Sequence, residues 1–446
     1  MSNLNVAIVG DVMVDVHHGL AEATRIRLGG VLHSARCLAA FSVPFACMAL
    51  MPRWLKAPTR SEVEGLGGKL MVLGDVEGAP NVLLVGDPTE AGPQGYELLL
   101  RDEYQCRLFD VSRLFAREDL TDILLFPGQY DNGAVLEAVG GTAARIHVDL
   151  GHSVGDEDVL VGLRRRAETV FLSTSSELFR GRWKGSVEAM VGALVPRFTD
   201  RLIFKESRGG ARLFYSDCSR DSLECGAHLG LTRHSVGVGD CFDSAWVASV
   251  DTGDDAYRLA LASLAAECYA STWDDGQFAK RIEGIRRCEQ NIVVGLQGVR
   301  VPWEERPSFQ VYIAAPDFPH VERAPLEALV ASLAYHNFRS RRPVQENGIA
   351  GPDAGDREHR RLFAADMKVM GECSLVVAVL LYDDPGTLIE IGLAARAGKP
   401  VIVYDPYNQA RNVMLRCVPK LVSSDLSEIL SAVFESVSTL RRTTDA

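Results

Sequence analysis

The chain has 446 residues, and at roughly 150 residues per domain this length predicts two or three domains. Hydrophobic residues make up 47% of the sequence and charged residues 24%, proportions that exclude a disordered tail or a small disulfide-stapled scaffold. The 47 Lys and Arg residues against 59 Asp and Glu residues give a net charge of −12, which argues against nucleic acid or an anionic membrane as a partner.

Cysteines and apolar runs indicate the cellular compartment. The ten cysteines are scattered and form no C-x-x-C pair, so we expect no structural zinc site. The opening MSNLNVAIVGD lacks the basic segment and long apolar run of a signal peptide. No run approaches the roughly 18 apolar residues that a membrane span needs. We therefore expect a cytoplasmic protein with free thiols and no membrane partner.

The first two thirds of the chain alternate apolar strands with helices. Predicted strands are residues 5–11, 123–126, 146–149, 169–172 and 202–205, and predicted helices include residues 159–167, 187–198, 241–250 and 256–272. Continuous apolar strands that alternate with helices are typical of parallel βα units whose sheet is buried on both faces. The fold class predicted here is α/β.

A polar segment with two prolines, residues 297–308, interrupts this pattern and indicates a linker. A second βα series follows it. Its predicted strands are residues 311–315, 375–381, 400–404 and 420–422, and its predicted helices are residues 325–336, 357–370, 388–397 and 426–437. The sequence therefore predicts two α/β domains, residues 1–298 and 309–446, joined by a linker over residues 299–308.

The glycine-rich segment HSVGVGDCFD, which begins at His234, carries the main chemical pattern of the first domain. Gly237 and Gly239 permit tight backbone turns, and Asp240 is predicted at the opening of a helix. N–H groups at a helix start can hold a phosphoryl group, and a nearby carboxylate can accept the proton of an attacking hydroxyl. A glycine turn with Asp as the helix N-cap is the simpler interpretation of the same pattern.

This segment resembles the signature D-T-x-G-A-G-D-x-F of the ribokinase-like (PfkB) carbohydrate and nucleoside kinase family. GDVMVD from Gly10, the Gly29-Gly30 pair and FKESRGGA from Phe204 resemble three further motifs in the family's order. The resemblance implies a ribokinase-like α/β sandwich, with ATP and Mg²⁺ as cofactors and a sugar or nucleoside as acceptor. The implied roles are Asp240 as general base, Gly237, Val238 and Gly239 as the anion hole for the phosphate, Asp15, Gly29 and Gly30 as acceptor-binding residues, and Lys205 and Ser207 as nucleotide-binding residues.

Three positions depart from the family's pattern. His234 replaces the Asp that opens the signature, which argues against the family's monovalent-cation site, and His33 replaces an Asn after the paired glycines. Thr174 replaces the Asn of an N-x-x-E motif, whose Glu is kept as Glu177 and is implied to contact Mg²⁺ indirectly. An active kinase with an unusual acceptor, a weak kinase and a domain that only binds ligand all stay open.

A strand, a turn and a helix start are predicted in the second domain, in the segment VVAVLLYDDPGTLIEIGLA from Val376. Open α/β sheets bind ligands where a strand end feeds a helix start. Asp384 in the turn and Glu390 six residues later could cleave a glycosidic bond, one carboxylate as nucleophile and the other to orient groups or move protons. The helix dipole alone would explain Asp384, but Glu390 is explained less well because Ile389 and Ile391 flank it.

This segment resembles the pattern D-x-G-T-x-x-E-I-G-x-A of the nucleoside 2-deoxyribosyltransferase family, which includes related nucleotide N-glycosidases. YIAAPDF from Tyr312 and the N-x-M motif at Asn412 resemble further family motifs. The resemblance implies a flavodoxin-like doubly wound parallel sheet, no cofactor, and at least a dimer, because a neighbouring subunit contributes the N-x-M motif. The implied roles are Glu390 as nucleophile, Asp366 as the carboxylate that addresses the nucleobase, Asp384 as the group that fixes the sugar geometry, and Tyr312, Gly386, Thr387, Asn412 and Met414 as substrate-binding residues.

The two resemblances together imply a bifunctional enzyme of nucleoside or nucleotide metabolism that acts on small molecules. The first domain would phosphorylate a nucleoside or sugar hydroxyl, and the second would cleave or transfer the N-glycosidic bond of a nucleoside or its 5′-monophosphate, in either order. The alternative is an N-glycosidase regulated by a catalytically weak, ligand-sensing kinase-like domain, for example in nucleotide depletion or defence. A scaffold with two inactive sites is disfavoured by the Asp240 and Glu390 motifs.

Overall fold

The computed structural model describes residues 4–18, 24–93, 95–116, 119–151, 157–163, 166–217 and 219–444. The chain divides into two compact units, the first formed by residues 1–89 and 94–300 and the second by residues 90–93 and 301–446. The short segment 90–93 belongs to the second unit, where the Tyr335 hydroxyl donates to a carboxylate oxygen of Glu90 at 3.1 Å. The sequence did not indicate this association, and the domain limits that it predicts stay predictions.

One large sheet organises the first unit. Its strands are β1 Val6–His17, β2 Arg25–Gly30, β3 Phe45–Pro52, β4 Lys69–Glu77, β5 Val82–Val85, β6 Tyr96–Leu98, β7 Gln105–Leu108, β8 Asp122–Leu125, β9 Arg145–Asp149, β10 Ala167–Ser173, β11 Thr199–Lys205, β12 Ala211–Tyr215 and β13 Leu223–Cys225. The main path runs β13-β12-β11-β10-β9-β8-β1-β3-β4-β7. Strands β11 through β4 are parallel neighbours, and antiparallel strands lie at both edges.

Helices cover this sheet and complete its core. They are α1 Val31–Ala40, α2 Lys56–Gly65, α3 Val111–Phe115, α4 Asn132–Gly140, α5 Val187–Phe198, α6 Val238–Ala248, α7 Asp255–Ala270, α8 Asp275–Arg286 and α9 Gln290–Gly295. Strand β3 is buried along its whole length, as expected for a central strand covered on both faces. The main hydrophobic core joins side chains of β1, β3, α1, α6 and α7.

Strand β1 is longer than predicted because it serves two sets of partners. Its first half pairs in parallel with β3 and β8, and its second half pairs with β2 and β5. The register with β2 places Asp15 opposite Arg27 and His17 opposite Arg25. Since side chains alternate across a strand, Asp15 and His17 lie on the same face.

The second unit is a five-stranded parallel sheet with helices. Its strands are β14 Val311–Ala314, β15 Ser340–Arg341, β16 Leu375–Val379, β17 Val401–Tyr404 and β18 Leu421–Ser423, and its helices are α10 Ala324–Tyr335, α11 Pro343–Asn347, α12 Asp356–Glu372, α13 Pro385–Arg396, α14 Val413–Cys417 and α15 Leu426–Thr444. The sheet order β15-β14-β16-β17-β18 is 2-1-3-4-5 in chain order. This is the flavodoxin-like doubly wound order, whose ligand site lies at the switch between β14 and β16.

The predicted α/β class and the doubly wound second sheet are confirmed, with local differences. Among the described residues of the stretch 159–167, which are 159–163 and 166–167, the predicted helix is absent: a 3-10 turn covers Glu157–Gly162 and strand β10 begins at Ala167. Helix α13 begins at Pro385 rather than at residue 388, because Asp384 caps it and proline at the first helical position suits its fixed φ angle.

Two further observations concern membrane-spanning helices and the state of the cysteines. Within the described ranges, no helix combines the length and apolar character needed to cross a membrane. The nine cysteines in the described part of the chain are all free thiols, and Cys218 lies outside it.

A buried ion triad joins the end of β11 to β9 and α6. The Lys205 ammonium donates to Asp149 at 2.9 Å and to both oxygens of Asp243 at 2.9 and 2.8 Å. Burial alone would lower the pKa of Lys205, but the two carboxylates raise it above its ordinary value. Burial also raises the pKa of Asp243. The lysine therefore stays charged between its partners.

Substitution of this lysine tests the role of the triad in stability. We expect Lys205→Met to destabilise the first unit by about 3–5 kcal/mol, because it leaves buried carboxylates without their cation. Urea unfolding followed by tryptophan fluorescence measures this, since four of the five tryptophans lie in the first unit. The control is Lys280→Met at an exposed position. A loss below about 1 kcal/mol, in the range of ordinary surface substitutions, would show that the triad does not stabilise the unit.

Candidate functional site

Asp15 is buried in the second half of β1 and lies against the glycine pair Gly29-Gly30 of β2. A Cβ atom at Gly29 would lie 2.2 Å from the Asp15 carboxylate, so only glycine leaves room for it. Gly30, with φ +60°, would place a Cβ atom 2.1 Å from the Asp11 carbonyl oxygen. The paired glycines are therefore required by the close approach of the carboxylate and of the β1 backbone.

Two basic side chains adjoin the Asp15 carboxylate. His33 Nε2 lies 3.0 Å from Asp15 Oδ2, and Arg27 Nε lies 3.9 Å from the same oxygen. Burial would raise the pKa of Asp15, but His33 and Arg27 bring it below its usual value. On its other side, the His33 ring contacts the Tyr269 hydroxyl through Nδ1 at 2.8 Å. Asp15 is thus held in its charged form.

The glycine-rich segment forms the start of α6. Gly237 has φ +75°, and a Cβ atom there would lie 2.1 Å from the His33 ring. Helix α6 begins at Val238, so Asp240 is its third residue, within the first turn, and is almost fully buried. Backbone N–H groups in a first helical turn have no acceptor four residues back within the helix and can bind an anion. Gly237, Val238, Gly239 and Asp240 therefore combine the first turn of a helix with a buried carboxylate.

His234 occupies a neutral, fully hydrogen-bonded position beside this turn. Its Nε2 lies 3.0 Å from the Thr272 carbonyl oxygen and its Nδ1 lies 3.2 Å from Nη2 of Arg27. Burial lowers the pKa of His234 well below its ordinary value. These partners assign the proton to Nε2, which donates to Thr272, while Nδ1 accepts from Arg27. Arg27 also donates to the Val236 carbonyl oxygen at 3.0 Å, and its charge works against a monovalent cation at this place.

The residues implied for the nucleotide and for Mg²⁺ lie at the ends of the neighbouring parallel strands β10 and β11 or just after them. Lys205 ends β11 inside the ion triad, and Ser207, with φ +54°, opens the turn after it. Glu177 is exposed and follows β10. Strands β10 and β11 pair up to Ser173 and Lys205, so both turns leave the same edge of the sheet. The structure gives Lys205 internal partners and leaves Glu177 on the surface.

The residues around the start of α6 and after β10 determine whether Mg²⁺ and ATP could bind in the first unit. Among the described residues, no group of three or more His, Cys, Asp or Glu side chains is arranged to hold a metal. Mg²⁺ bound with nucleotide phosphates needs only one or two carboxylates. The glycine turn at the start of α6 suits a phosphoryl group, and Glu177 could act on the ion through water.

Glu390 lies on α13 at the switch point of the second sheet. The Tyr312 hydroxyl, from β14, donates to Glu390 Oε1 at 2.5 Å. Burial raises the pKa of Glu390 to about 7, the hydrogen bond from Tyr312 lowers it, and the charges of Asp366 and Asp384 raise it. The carboxyl group is therefore poised to change its charge close to neutral pH.

The motif around Asp384 is the N-terminal cap of this helix. Asp384 Oδ2 accepts from the backbone N–H of Thr387 at 2.7 Å and from its hydroxyl at 2.8 Å. A Cβ atom at Gly386 would lie 3.1 Å from the same oxygen, which explains the glycine. The simpler interpretation, an N-cap, therefore holds for Asp384, and its charge also acts on Glu390.

Asp366 and the N-x-M motif complete the predicted site residues. Asp366, on α12, accepts from the Asn347 side-chain amide at 2.8 Å. Asn412 caps α14 by accepting from the backbone N–H of Met414 at 2.8 Å. Val413 and Met414 are exposed, at 67% and 64% of their surface. The structure thus places Tyr312 in a hydrogen bond with Glu390, and Asp366 and Asp384 near enough for their charges to raise the pKa of Glu390. The α14 motif lies on the surface.

A cavity of about 430 Å³ opens among the loops that follow β14, β16 and β17. Its lining consists of His320, Val321, Glu322, Leu381, Tyr382 and Tyr407. Ligands of open α/β sheets bind at this carboxyl edge. Sequence reasoning missed these residues and Asn347, because they belong to irregular loops or short helices. Among these residues, only Tyr382 has a signal in the sequence, since it lies two residues before Asp384 in the motif.

Comparisons with known proteins bear on the two units separately. Comparison with curated proteins gave no match. Solved structures similar to the chain include a nucleoside kinase from Burkholderia thailandensis in complex with inosine (15% identity, TM-score 0.48, 63% of this chain and 95% of that chain). They also include a ribokinase from Thermotoga maritima (12%, 0.45, 63% and 98%) and one from Arabidopsis thaliana complexed with ribose and ATP (14%, 0.41, 63% and 99%).

The second unit matches a family model directly. The matched residues are 311–427, and the family is described as nucleoside 2-deoxyribosyltransferase. The match contains β14, the Asp384–Glu390 segment and the N-x-M motif. The resemblance predicted from these motifs is confirmed over residues 311–427.

Proposed function

We propose that the second unit breaks the N-glycosidic bond of a nucleoside or its 5′-monophosphate with Glu390 as nucleophile, and that the first unit phosphorylates a nucleoside or sugar hydroxyl. The observation that carries the proposal is the hydrogen bond between Tyr312 and Glu390 inside the matched domain. Burial and the charges of Asp366 and Asp384 raise the pKa of Glu390 and so favour its protonated form, whereas the hydrogen bond from the Tyr312 hydroxyl lowers this pKa. A carboxylate that ionises near neutral pH can attack as a nucleophile.

The proposed cleavage has two steps. The Glu390 carboxylate forms a bond to C1′ while the bond from C1′ to the base nitrogen breaks, and the electron pair leaves with the base. Asp366, held by Asn347, binds the base or delivers the proton that this nitrogen takes up. Water then displaces Glu390 in hydrolysis, or a second base does so in transfer.

In the first unit, Asp240 would remove the proton of the acceptor hydroxyl as that oxygen attacks a phosphoryl group at the start of α6. Bound ATP would supply the phosphoryl group, with Mg²⁺ to neutralise phosphate charge. Asp15 would hold the acceptor, since it is charged and buried beside the glycine pair. Lys205 supports this region through Asp149 and Asp243 rather than by reaching a phosphate.

A ligand-sensing first unit is the second candidate. The observation that favours it is the placement of His33 and Arg27 against Asp15, where they compete with acceptor hydroxyls for the carboxylate. In that case the first unit binds a nucleoside or nucleotide without turnover, and the second unit depletes nucleotides in response.

We also infer that two copies of the chain associate through the region of α14. The exposed Val413 and Met414 present apolar surface there, and Leu388 and Ile389 of α13 add to the exposed apolar side chains of this unit. Exposed apolar surface marks an interaction site where it forms one contiguous patch.

Removal of the nucleophile tests the glycosidic reaction. We expect Glu390→Gln to lower base release from a nucleoside and nucleoside monophosphate panel by about 10³-fold or more, because the amide cannot form the covalent intermediate. Mass spectrometry of the released bases gives the rate. The control is Glu358→Gln, a half-buried residue of α12 that pairs with Arg361. Base release by Glu390→Gln at the wild-type rate would exclude the proposed mechanism.

The pH dependence of base release tests the electrostatics of Glu390. The rate should rise with pH through about 7, because the nucleophile is the ionised carboxylate and the protonated form predominates below its pKa. Tyr312→Phe removes a hydrogen bond that lowers this pKa, so the rise should move to higher pH. Tyr335→Phe, which loses a tyrosine–glutamate hydrogen bond elsewhere in the unit, is the control. An unshifted profile for Tyr312→Phe would contradict this assignment.

Phosphorylation is tested by ATP consumption with a panel of nucleosides and sugars. We expect Asp240→Asn to reduce turnover by about 10²–10⁴-fold, the usual contribution of a general base, and the exposed Asp251→Asn to retain it. Such a loss would refute a non-catalytic sensor, whereas absent turnover with every acceptor would support one. Base release from nucleosides without ATP would exclude phosphorylation as an obligatory first step.

A further inference from the structure

Several buried polar atoms near Asp15 have no hydrogen-bond partner among the residues that the structure describes. They are both carboxylate oxygens of Asp15, both ring nitrogens of His17, Nε of Arg27, Nε2 of His33 and Nε1 of Trp273. The 3.0 Å contact of His33 with Asp15 lacks hydrogen-bond geometry. Buried polar groups in native proteins nearly always have partners, so this concentration indicates a place that a polar ligand fills.

The side chains that carry these atoms adjoin one another. Asp15 and His17 share a face of β1, and Arg27 lies opposite Asp15 on β2. The His17 ring contacts Trp273 with centroids 4.7 Å apart, and the Arg27 guanidinium lies 4.8 Å from the centre of the Trp273 ring. His17 is only 3% exposed. The cluster therefore extends from Asp15 along β1 towards Trp273.

Side chains pack on the Trp273 ring, whereas its indole N–H has no partner among the described residues. His234 lies against the ring at 4.3 Å with an angle of 37° between the planes. His17 contacts it edge-on, and Arg25 and Arg27 lie over it at 5.5 and 4.8 Å. A flat nucleobase would need an uncovered aromatic face for stacking. A group that hydrogen-bonds to ring edges fits this arrangement better.

The donors and acceptors of the cluster define the chemistry of the occupant. Asp15 only accepts hydrogen bonds, and Trp273 only donates. Burial lowers the pKa of His17 to about 4, so its neutral ring offers one donor and one acceptor. A hydroxyl group both donates and accepts, so adjacent hydroxyls can satisfy all three residues. A phosphate or carboxylate accepts only and would leave Asp15 unsatisfied.

We propose that His17 and Trp273 are specificity-determining residues that bind hydroxyl groups of the acceptor beside Asp15. This inference rests on the proposed phosphorylation by the first unit and deepens it, because it assigns the cluster to the polyhydroxyl part of the acceptor. Neither residue touches the transferred phosphate in this assignment. Both act on acceptor affinity and on the choice among acceptors.

Binding without ATP tests the inference independently of catalysis. D-ribose and inosine are titrated calorimetrically into the full-length wild-type protein and into His17→Phe and Trp273→Phe, which keep an aromatic ring and lose the polar edge. We expect each variant to bind the better of the two probes about tenfold more weakly, the effect of losing one hydrogen bond. His18→Phe, the same substitution at the exposed neighbouring residue, should bind as the wild type does.

Turnover separates this inference from the proposed function. Where ATP is consumed, both variants should raise KM for the acceptor more than they lower kcat. Binding that weakens in the variants while the wild type consumes no ATP would support the inference and refute the kinase reaction. Unchanged binding in both variants, or no binding of either probe by the wild type, would overturn the inference. Circular dichroism checks folding, and Trp273→Phe carries the test alone should His17→Phe be unfolded.

Discussion

The hydrogen bond between Tyr312 and Glu390 connects β14 to α13 across the switch point of the second sheet. The two residues lie 78 positions apart in the chain, yet the 2-1-3-4-5 strand order makes their elements neighbours. Because the carboxyl group is buried, its charge depends on this one donor and on the two carboxylates near it. The N-cap of α13, with the glycine inside it, sets where the helix begins and so places Glu390 along it. The charge of Asp366 raises the pKa of this carboxyl group.

The first unit uses a different constraint, the close approach of ionisable side chains to glycine. Asp15 lies against Gly29, and the ring of His33 lies against Gly237. These contacts bring the Asp15 carboxylate and the start of α6 together through His33. The charges near them have opposite charges beside them, with Arg27 next to Asp15 and Lys205 between Asp149 and Asp243. Buried ions remain tolerable only in such pairs.

Local patterns predicted much of this organisation. The apolar runs at residues 146–149 and 202–205 lie within strands that the structure confirms, since buried parallel strands are continuously apolar. Helix ends were predicted less well: α6 begins three residues before the predicted start because Gly237 already provides the left-handed turn. The segment 90–93 has no local pattern that assigns it to the second unit, since that assignment comes from contacts such as Tyr335 with Glu90.

By itself, the sequence determined the α/β class, the two βα series and the motifs that contain Asp15, Asp240, Asp384 and Glu390, because these depend on short-range patterns of apolar, glycine and acidic residues. Only the tertiary structure decided the electrostatic state of these groups. Burial and the hydrogen bond from Tyr312 set the charge of Glu390. Burial, His33 and Arg27 set the charge of Asp15. The cluster of His17 and Trp273 likewise arises from packing between residues more than 250 positions apart, which no local pattern encodes.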